Sequence, residues 1–222
     1  MPLFTCRAVL FDLDGVLVDS TPCVTRVWRG WALEHGFDPE CVVQVAHGKK
    51  AIETVRIVAP HLDPNHEFAI LEQRELDDTE GLSVLPGAKE LLASLPASKY
   101  VIVTSGTRRL AIRRLQIAGL PVPKQLISAD EVTRGKPDPE PYLKGAAAVG
   151  APAGECLVFE DAPSGIHSAQ AAGAKVIGIV TTYHAGKLTE ADLIIPSLGA
   201  VTFAGSTTDG QLHFEVEAGQ AG

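Results

Sequence analysis

Four sets of residues in this chain carry chemistry, and three of them follow a short apolar run. "AVLF" leads into Asp12, with Asp14 two residues later; "YVIV" is followed by Ser105, Gly106 and Thr107; "CLVF" leads into Glu160 and Asp161. Lys136 stands in "RGKPDPEP", just ahead of a stretch that opens a helix at its prolines. In an open parallel sheet, ligands bind beyond the carboxyl ends of the strands, so these residues meet in one crevice if the runs are neighbouring strands. While the chain stays extended, Asp12 and Asp14 share one face. Carboxylates that close repel, and a proton or a cation must offset one of them. Mg²⁺ suits a site with few protein carboxylates, several waters and a substrate phosphate. One carboxylate can attack phosphorus to form an aspartyl-phosphate, and its neighbour can then serve as acid and base. Ser105 offers a hydroxyl, Gly106 a backbone N–H and Lys136 a point charge to the oxygens of a transferring phosphoryl group.

Each feature alone also has a plain structural reading. An Asp-x-Asp can be a capped turn, Ser105 a turn residue, Lys136 a solvated charge, and Glu160–Asp161 a helix start favoured by the macrodipole. All four occurring in order, each at a strand end or the adjoining loop, is what chance explains poorly.

The elements that must position them read as an alternation. Apolar runs at 8–11, 100–103, 126–127, 156–159, 176–180 and 193–195 are bounded by turn residues. Helical patterns lie between most of them: "LPGAKELLASL", "RRLAIRRLQIAGL" stopped by Gly119, "DPEPYLKGAAAVGA" and "APSGIHSAQAAGA". Strands alternating with helices imply a mostly parallel sheet covered on both faces. From about 20 to 83 no strand is evident. Three helices are expected there, in "STPCVTRVWRGWALEHG", "KKAIETVRIVAP" and "PNHEFAILEQRELDDTEGL", with Ser20 or Thr21 capping the first. This insertion reads as a small lid. After 195, "TTDGQLHFEVE" reads as a turn and an edge strand, with the last few residues loose.

Composition sets the bounds. The chain has 222 residues, 45% apolar and 21% charged, ordinary for a globular protein with an ample core. A net charge of −8 argues against nucleic-acid binding but permits a local basic cluster for a small anion. Cys6, Cys23, Cys41 and Cys156 form no CxxC pair and read as reduced thiols. No signal peptide or membrane-length apolar stretch is evident, so a cytoplasmic protein is expected. Nothing points to an obligate assembly, and a monomer is expected.

"FDLDG", "VTSGT", "GKPDPEPY" and "VFEDAPSGI" together resemble the four motifs of the haloacid-dehalogenase-like (HAD) superfamily, over nearly the whole chain. The resemblance implies a Rossmann-like three-layer α/β core with a parallel sheet, at 1–17 and 84–222, and a helical cap at 18–83 after the first strand. It implies Asp12 as nucleophile and Asp14 as acid/base. Mg²⁺ would be held by the Asp12 carboxylate, the Asp14 backbone carbonyl and Asp161, with Glu160 direct or through water. Ser105, Gly106 and Lys136 would bind the phosphate.

Within the superfamily, dehalogenases and phosphonate hydrolases lack the second acid, so Asp14 disfavours both. The β-phosphoglucomutase-like members carry a cap histidine at the place of Val24, which favours hydrolysis over mutase chemistry. "TSGTRR", "GKPDPEPYLKGAAAVG" and "FEDAPSGIHSAQAAGAKVIGIVTT" look most like the sugar- and polyol-phosphate phosphatases. "HGKKAIETV" resembles their cap loop, whose His47, Lys49 and Lys50 would meet substrate. Arg108 and Arg109 are expected near the entrance, Arg113 and Arg114 on a solvated helix face, and Trp28 and Trp31 in packing. A Mg²⁺-dependent phosphatase of small phosphorylated metabolites is the leading expectation. A phosphomutase, or an inactive binding protein of the same fold, is the alternative.

Overall fold

The first strands show what fixes the architecture. A computed structural model describes residues 2–46 and 50–217. In it β1 (Leu3–Cys6) is followed at once by β2 (Ala8–Phe11), all four of whose side chains are buried. A strand buried on both faces belongs in the middle of a parallel sheet covered by helices. The chain continues through β3 (Val18–Asp19) into four helices: α1 (Thr21–Glu34), α2 (Pro39–Ala46), α3 (Ala51–Val58) and α4 (Pro64–Asp77). It returns through β4 (Ser83–Val84) to α5 (Ala88–Ser94), β5 (Tyr100–Val103), α6 (Arg108–Ile117), β6 (Leu126–Ile127) and α7 (Glu140–Ala148). Then come β7 (Cys156–Glu160), α8 (Pro163–Ala171), β8 (Lys175–Ile179), β9 (Leu193–Ile195), β10 (Val201–Ser206) and β11 (Leu212–Val216).

Six of these strands form the central sheet in the order β6-β5-β2-β7-β8-β9, every pairing parallel. β2 and β7 run side by side at its centre, with Phe11 opposite Phe159 and their rings stacked 5.3 Å apart. The period of two divides the sheet's side chains between two cores. Val9, Phe11, Ile102, Leu157 and Phe159 pack with α5 and α6 through Leu91, Leu92, Ala111 and Leu115. Ala8, Leu10, Val101, Val103 and Val158 pack with α7 and α8 through Tyr142, Ala146, Ile166 and Ala169. The result is the expected three-layer α/β arrangement.

The helices between β3 and β4 hold an apolar cluster of their own, including Val27, Trp28, Trp31, Val42, Val55 and Leu71. Among the described residues they number four rather than three: "PECVVQVA" forms α2, with Val42, Val43 and Ala46 turned inward. Trp31 is fully buried and its indole N–H donates to Glu67 at 2.8 Å, so it serves packing as expected. β3 and β4 pair antiparallel where the chain leaves and re-enters the core.

The tail corrects a second expectation. β11 is not an edge strand but the centre of a three-stranded antiparallel sheet, β1-β11-β10, whose Leu212, Phe214 and Val216 join the α5–α6 core. β1 and β10 flank it, each alternating between exposed and more buried positions, with a register shift in β10 between Phe203 and Gly205. The four cysteines are free, and among the described residues no helix is long and apolar enough to cross a membrane.

Candidate active site

Three carboxylates and one ammonium meet beyond the carboxyl ends of β2, β5 and β7. Asp12 follows β2 directly, and its backbone N–H donates to the Phe159 carbonyl of β7 at 3.0 Å. Lys136 Nζ donates to Asp12 Oδ1 at 2.6 Å, to Glu160 Oε1 at 2.6 Å and to the Val103 carbonyl at 3.2 Å. The last residues of β5 and β7 and the first after β2 thus share one lysine. The Tyr142 hydroxyl donates to Glu160 Oε1 at 2.6 Å, and Glu160 Oε2 accepts from the backbone N–H groups of Asp161 and Ala162. Glu160 is therefore saturated by fixed donors and locked in place.

Two glycines make room for this cluster. A Cβ on Gly165, in the first turn of α8, would lie 1.8 Å from Glu160 Oε1. A Cβ on Gly15 would lie 1.9 Å from Asp161 Oδ2, and its φ of +83° already favours glycine.

Ligand oxygens of Asp12, Glu160 and Asp161 lie within 4.8 Å of one another, and all three residues are buried. One lysine faces three carboxylates, and the energetics reflect that imbalance. Burial, followed by the charges of Glu160 and Asp14, pushes the Asp12 carboxyl up to about 7 despite Lys136. Burial and the same crowding push Asp161 well above the ordinary aspartate range. Burial opposes the Lys136 charge, yet Asp12 and Glu160 more than offset it and raise its pKa. The residues present fit a divalent cation: an oxygen-only donor set, in surplus over the lysine, inside a protein cleft.

Asp14 stands apart from this cluster. The chain turns after Phe11, and the Asp14 carboxylate accepts from Ser20 Oγ at 2.6 Å and pairs with Arg114 Nη1 at 2.7 Å. Ser20 does occupy the N-cap position of α1, but its hydroxyl goes to Asp14 rather than capping. Ser105 and Gly106 line the same cavity on the loop after β5. The Gly106 N–H donates to Thr104 Oγ1 at 3.0 Å, holding that loop.

The hydrolase model of the haloacid dehalogenase-like family matches residues 6–173. The chain belongs to the haloacid dehalogenase-like hydrolase family. Hexitol phosphatase A of Escherichia coli (strain K12) is 45% identical over 202 residues, covering 89% of this chain and 94% of that protein. Glycerol-1-phosphate phosphohydrolase 2 of Saccharomyces cerevisiae is 37% identical over 214 residues, covering 90% and 85%. A crystal structure of a HAD hydrolase of family IA, variant 3, from Entamoeba histolytica superposes with a TM-score of 0.76 at 25% identity, covering 91% and 96%.

This HAD-like hydrolase also holds site residues that its sequence conceals. Arg114 is not on a solvated face. It is 4% exposed, lines the cavity, and bridges Asp14 to Glu75 Oε2 of α4, the latter at 2.6 Å. The buried stripe of α6 is Leu110, Ala111, Arg114 and Leu115, so the helical spacing itself turns Arg114 inward. Burial raises the Glu75 pKa, with Arg114 acting against it. On α4, Phe68, Glu72 and Glu75 face the cavity, as do Val24 and Trp28 of α1.

Lys50, expected to meet substrate, does not line the cavity among the described residues. Its ammonium donates to the carbonyls of Val132 at 2.8 Å and Ala129 at 3.3 Å, tying the start of α3 to the loop that leads to Lys136. The physical reason is desolvation: at 8% exposure the charge needs fixed acceptors, and the loop carbonyls supply them. His47 and Lys49 lie outside the described residues. Arg108 pairs with Glu131 rather than lining the cavity.

Proposed function

We propose that this hydrolase is a Mg²⁺-dependent phosphatase that cleaves monophosphate esters of sugars or polyols through an aspartyl-phosphate on Asp12. The observation that carries the reading is the placement of Asp12. Its carboxylate faces a cavity from the end of β2, with one oxygen on Lys136 and two further acids beside it. The names of the relatives support the substrate class, since one is a hexitol phosphatase and another a glycerol-1-phosphate phosphohydrolase.

In this reading an Asp12 oxygen attacks phosphorus, the P–O bond to the alcohol breaks, and Asp14 gives the departing oxygen its proton. A water then attacks the same phosphorus, giving its proton to Asp14. The acyl-phosphate bond breaks, inorganic phosphate leaves, and Asp12 is regenerated. Ser105 and Lys136 hold phosphoryl oxygens during both steps, and Ser20 and Arg114 keep Asp14 aimed at the reacting centre. When bound, Mg²⁺ would be held by Asp12, Asp161 and the Asp14 carbonyl, with Glu160 beside it, and would offset charge on the transferring group.

The segment 18–83 acts in this reading as a cap on a core of 1–17 and 84–222, excluding bulk water when closed. Val24 puts an apolar side chain in the cavity, with no proton to exchange, so nothing there favours mutase chemistry. The test is inorganic phosphate release from a panel of hexitol, glycerol and sugar monophosphates, with Mg²⁺ and with EDTA. Release that needs the metal is expected. Isomer formation without free phosphate, or release indifferent to EDTA, would overturn the reading.

A further inference from the structure

We infer that Glu72 is a specificity-determining residue, a carboxylate that accepts hydrogen bonds from hydroxyl groups on the alcohol part of the substrate and disfavours esters carrying a second anion. This deepens the phosphatase reading and rests on it. Glu72 lies on the cavity face of α4, four residues after Phe68 and three before Glu75. The two glutamates differ. Glu75 is buried and paired with Arg114, whereas Glu72 is partly exposed and, among the described residues, pairs with no lysine or arginine.

Its orientation is fixed from the core. Thr107 caps α6 by accepting from the Leu110 N–H at 3.2 Å, which leaves its hydroxyl proton for Glu72 Oε1, at 2.5 Å. An ionised carboxylate only accepts hydrogen bonds and has about four lone-pair sites, of which Thr107 takes one. The partners it can still recruit are donors, and a hydroxylated substrate brings donors. Thr107 is two residues past Ser105, so at most ~7 Å of chain separates Glu72's anchor from the phosphate loop. That reach corresponds to the carbons next to the ester oxygen. Val24, Trp28 and Phe68 supply apolar wall for the carbon skeleton. An unpaired negative charge on this rim repels a carboxylate or second phosphate on the same ligand.

The experiment compares kcat/KM for glycerol 1-phosphate, n-propyl phosphate and phosphoglycolate in the wild type, Glu72→Ala and Glu72→Gln. Propyl phosphate has the same carbon count as the glycerol ester without its hydroxyls, and phosphoglycolate carries a second anion. In Glu72→Ala the ratio of glycerol to propyl ester should fall about tenfold to a hundredfold, the worth of a hydrogen bond to a charged acceptor. In Glu72→Gln, which keeps the side-chain shape, phosphoglycolate should gain relative to glycerol 1-phosphate. Unchanged ratios in both variants would overturn the inference while leaving the phosphatase reading intact. A wild type that cleaves none of the three esters and no hexitol or sugar monophosphate either would overturn both.

Discussion

Asp12 is a carboxylate held where water would never leave one, 7% exposed and beside two other acids. Its carboxyl is pushed up to about 7 by burial first and by Glu160 and Asp14 next, against ~3.9 in an unfolded chain. The native state without metal therefore binds this proton more tightly than the unfolded state does. The sign follows: the unfavourable contribution is absent below about pH 4, grows as pH rises, and is complete above about pH 7. In EDTA, the thermal midpoint of the wild type should fall relative to that of Asp12→Asn between about pH 5 and pH 7. Mg²⁺ at neutral pH should remove the difference. Parallel pH curves for the two proteins, followed by calorimetry, would contradict this account of the site. Asp12, Asp14, Glu160 and Asp161 were legible in the sequence because each sits within three residues of the end of an apolar run. Arg114 was not, because the eye groups it with Arg113. Only the stripe of Leu110, Ala111 and Leu115 separates the inward arginine from its exposed neighbour.

At the scale of elements, α4 and α6 are joined by polar side chains rather than an apolar seam. Thr107 and Arg114 of the α6 region meet Glu72 and Glu75 of α4, and Arg114 continues to Asp14. The inserted helices are thereby wired to the residue assigned the proton transfers. Arg114→Ala would strand Glu75 in a buried site without its cation, a loss of about 3 kcal/mol by the usual cost of breaking a buried pair. It should also lower kcat more than it raises KM, because Asp14 loses its orienting partner. Arg114→Met, which fills the space without the charge, should recover part of the stability and none of the kcat. A Met variant as active as the wild type would sink the orienting role. The same wiring explains a limit of sequence reading. Periodicity finds α1, α3 and α4 but passes over α2, which is as long as α3, while β3 and β4, two residues each, are too short for a pattern to stand out.

Across the whole molecule, the parallel sheet was legible because buried parallel strands are near-continuous apolar runs and their helices carry clear stops. The second sheet escaped because its β1–β11 pairing joins opposite ends of the chain, which no local pattern reveals. The parallel sheet sets the site: β2, β5 and β7 deliver Asp12, Lys136's carbonyl acceptor and Glu160 to a single point. The central claim is that Asp12 carries the phosphoryl group during turnover. It is tested most directly by acid-quenching the enzyme in steady state with a polyol phosphate and Mg²⁺, then mapping phosphoryl adducts by peptide mass spectrometry. The account predicts an adduct on the peptide containing Asp12, labile to hydroxylamine, and absent with all turnover in Asp12→Asn. Turnover in Asp12→Asn near the wild-type rate, or an adduct on another residue, would contradict it.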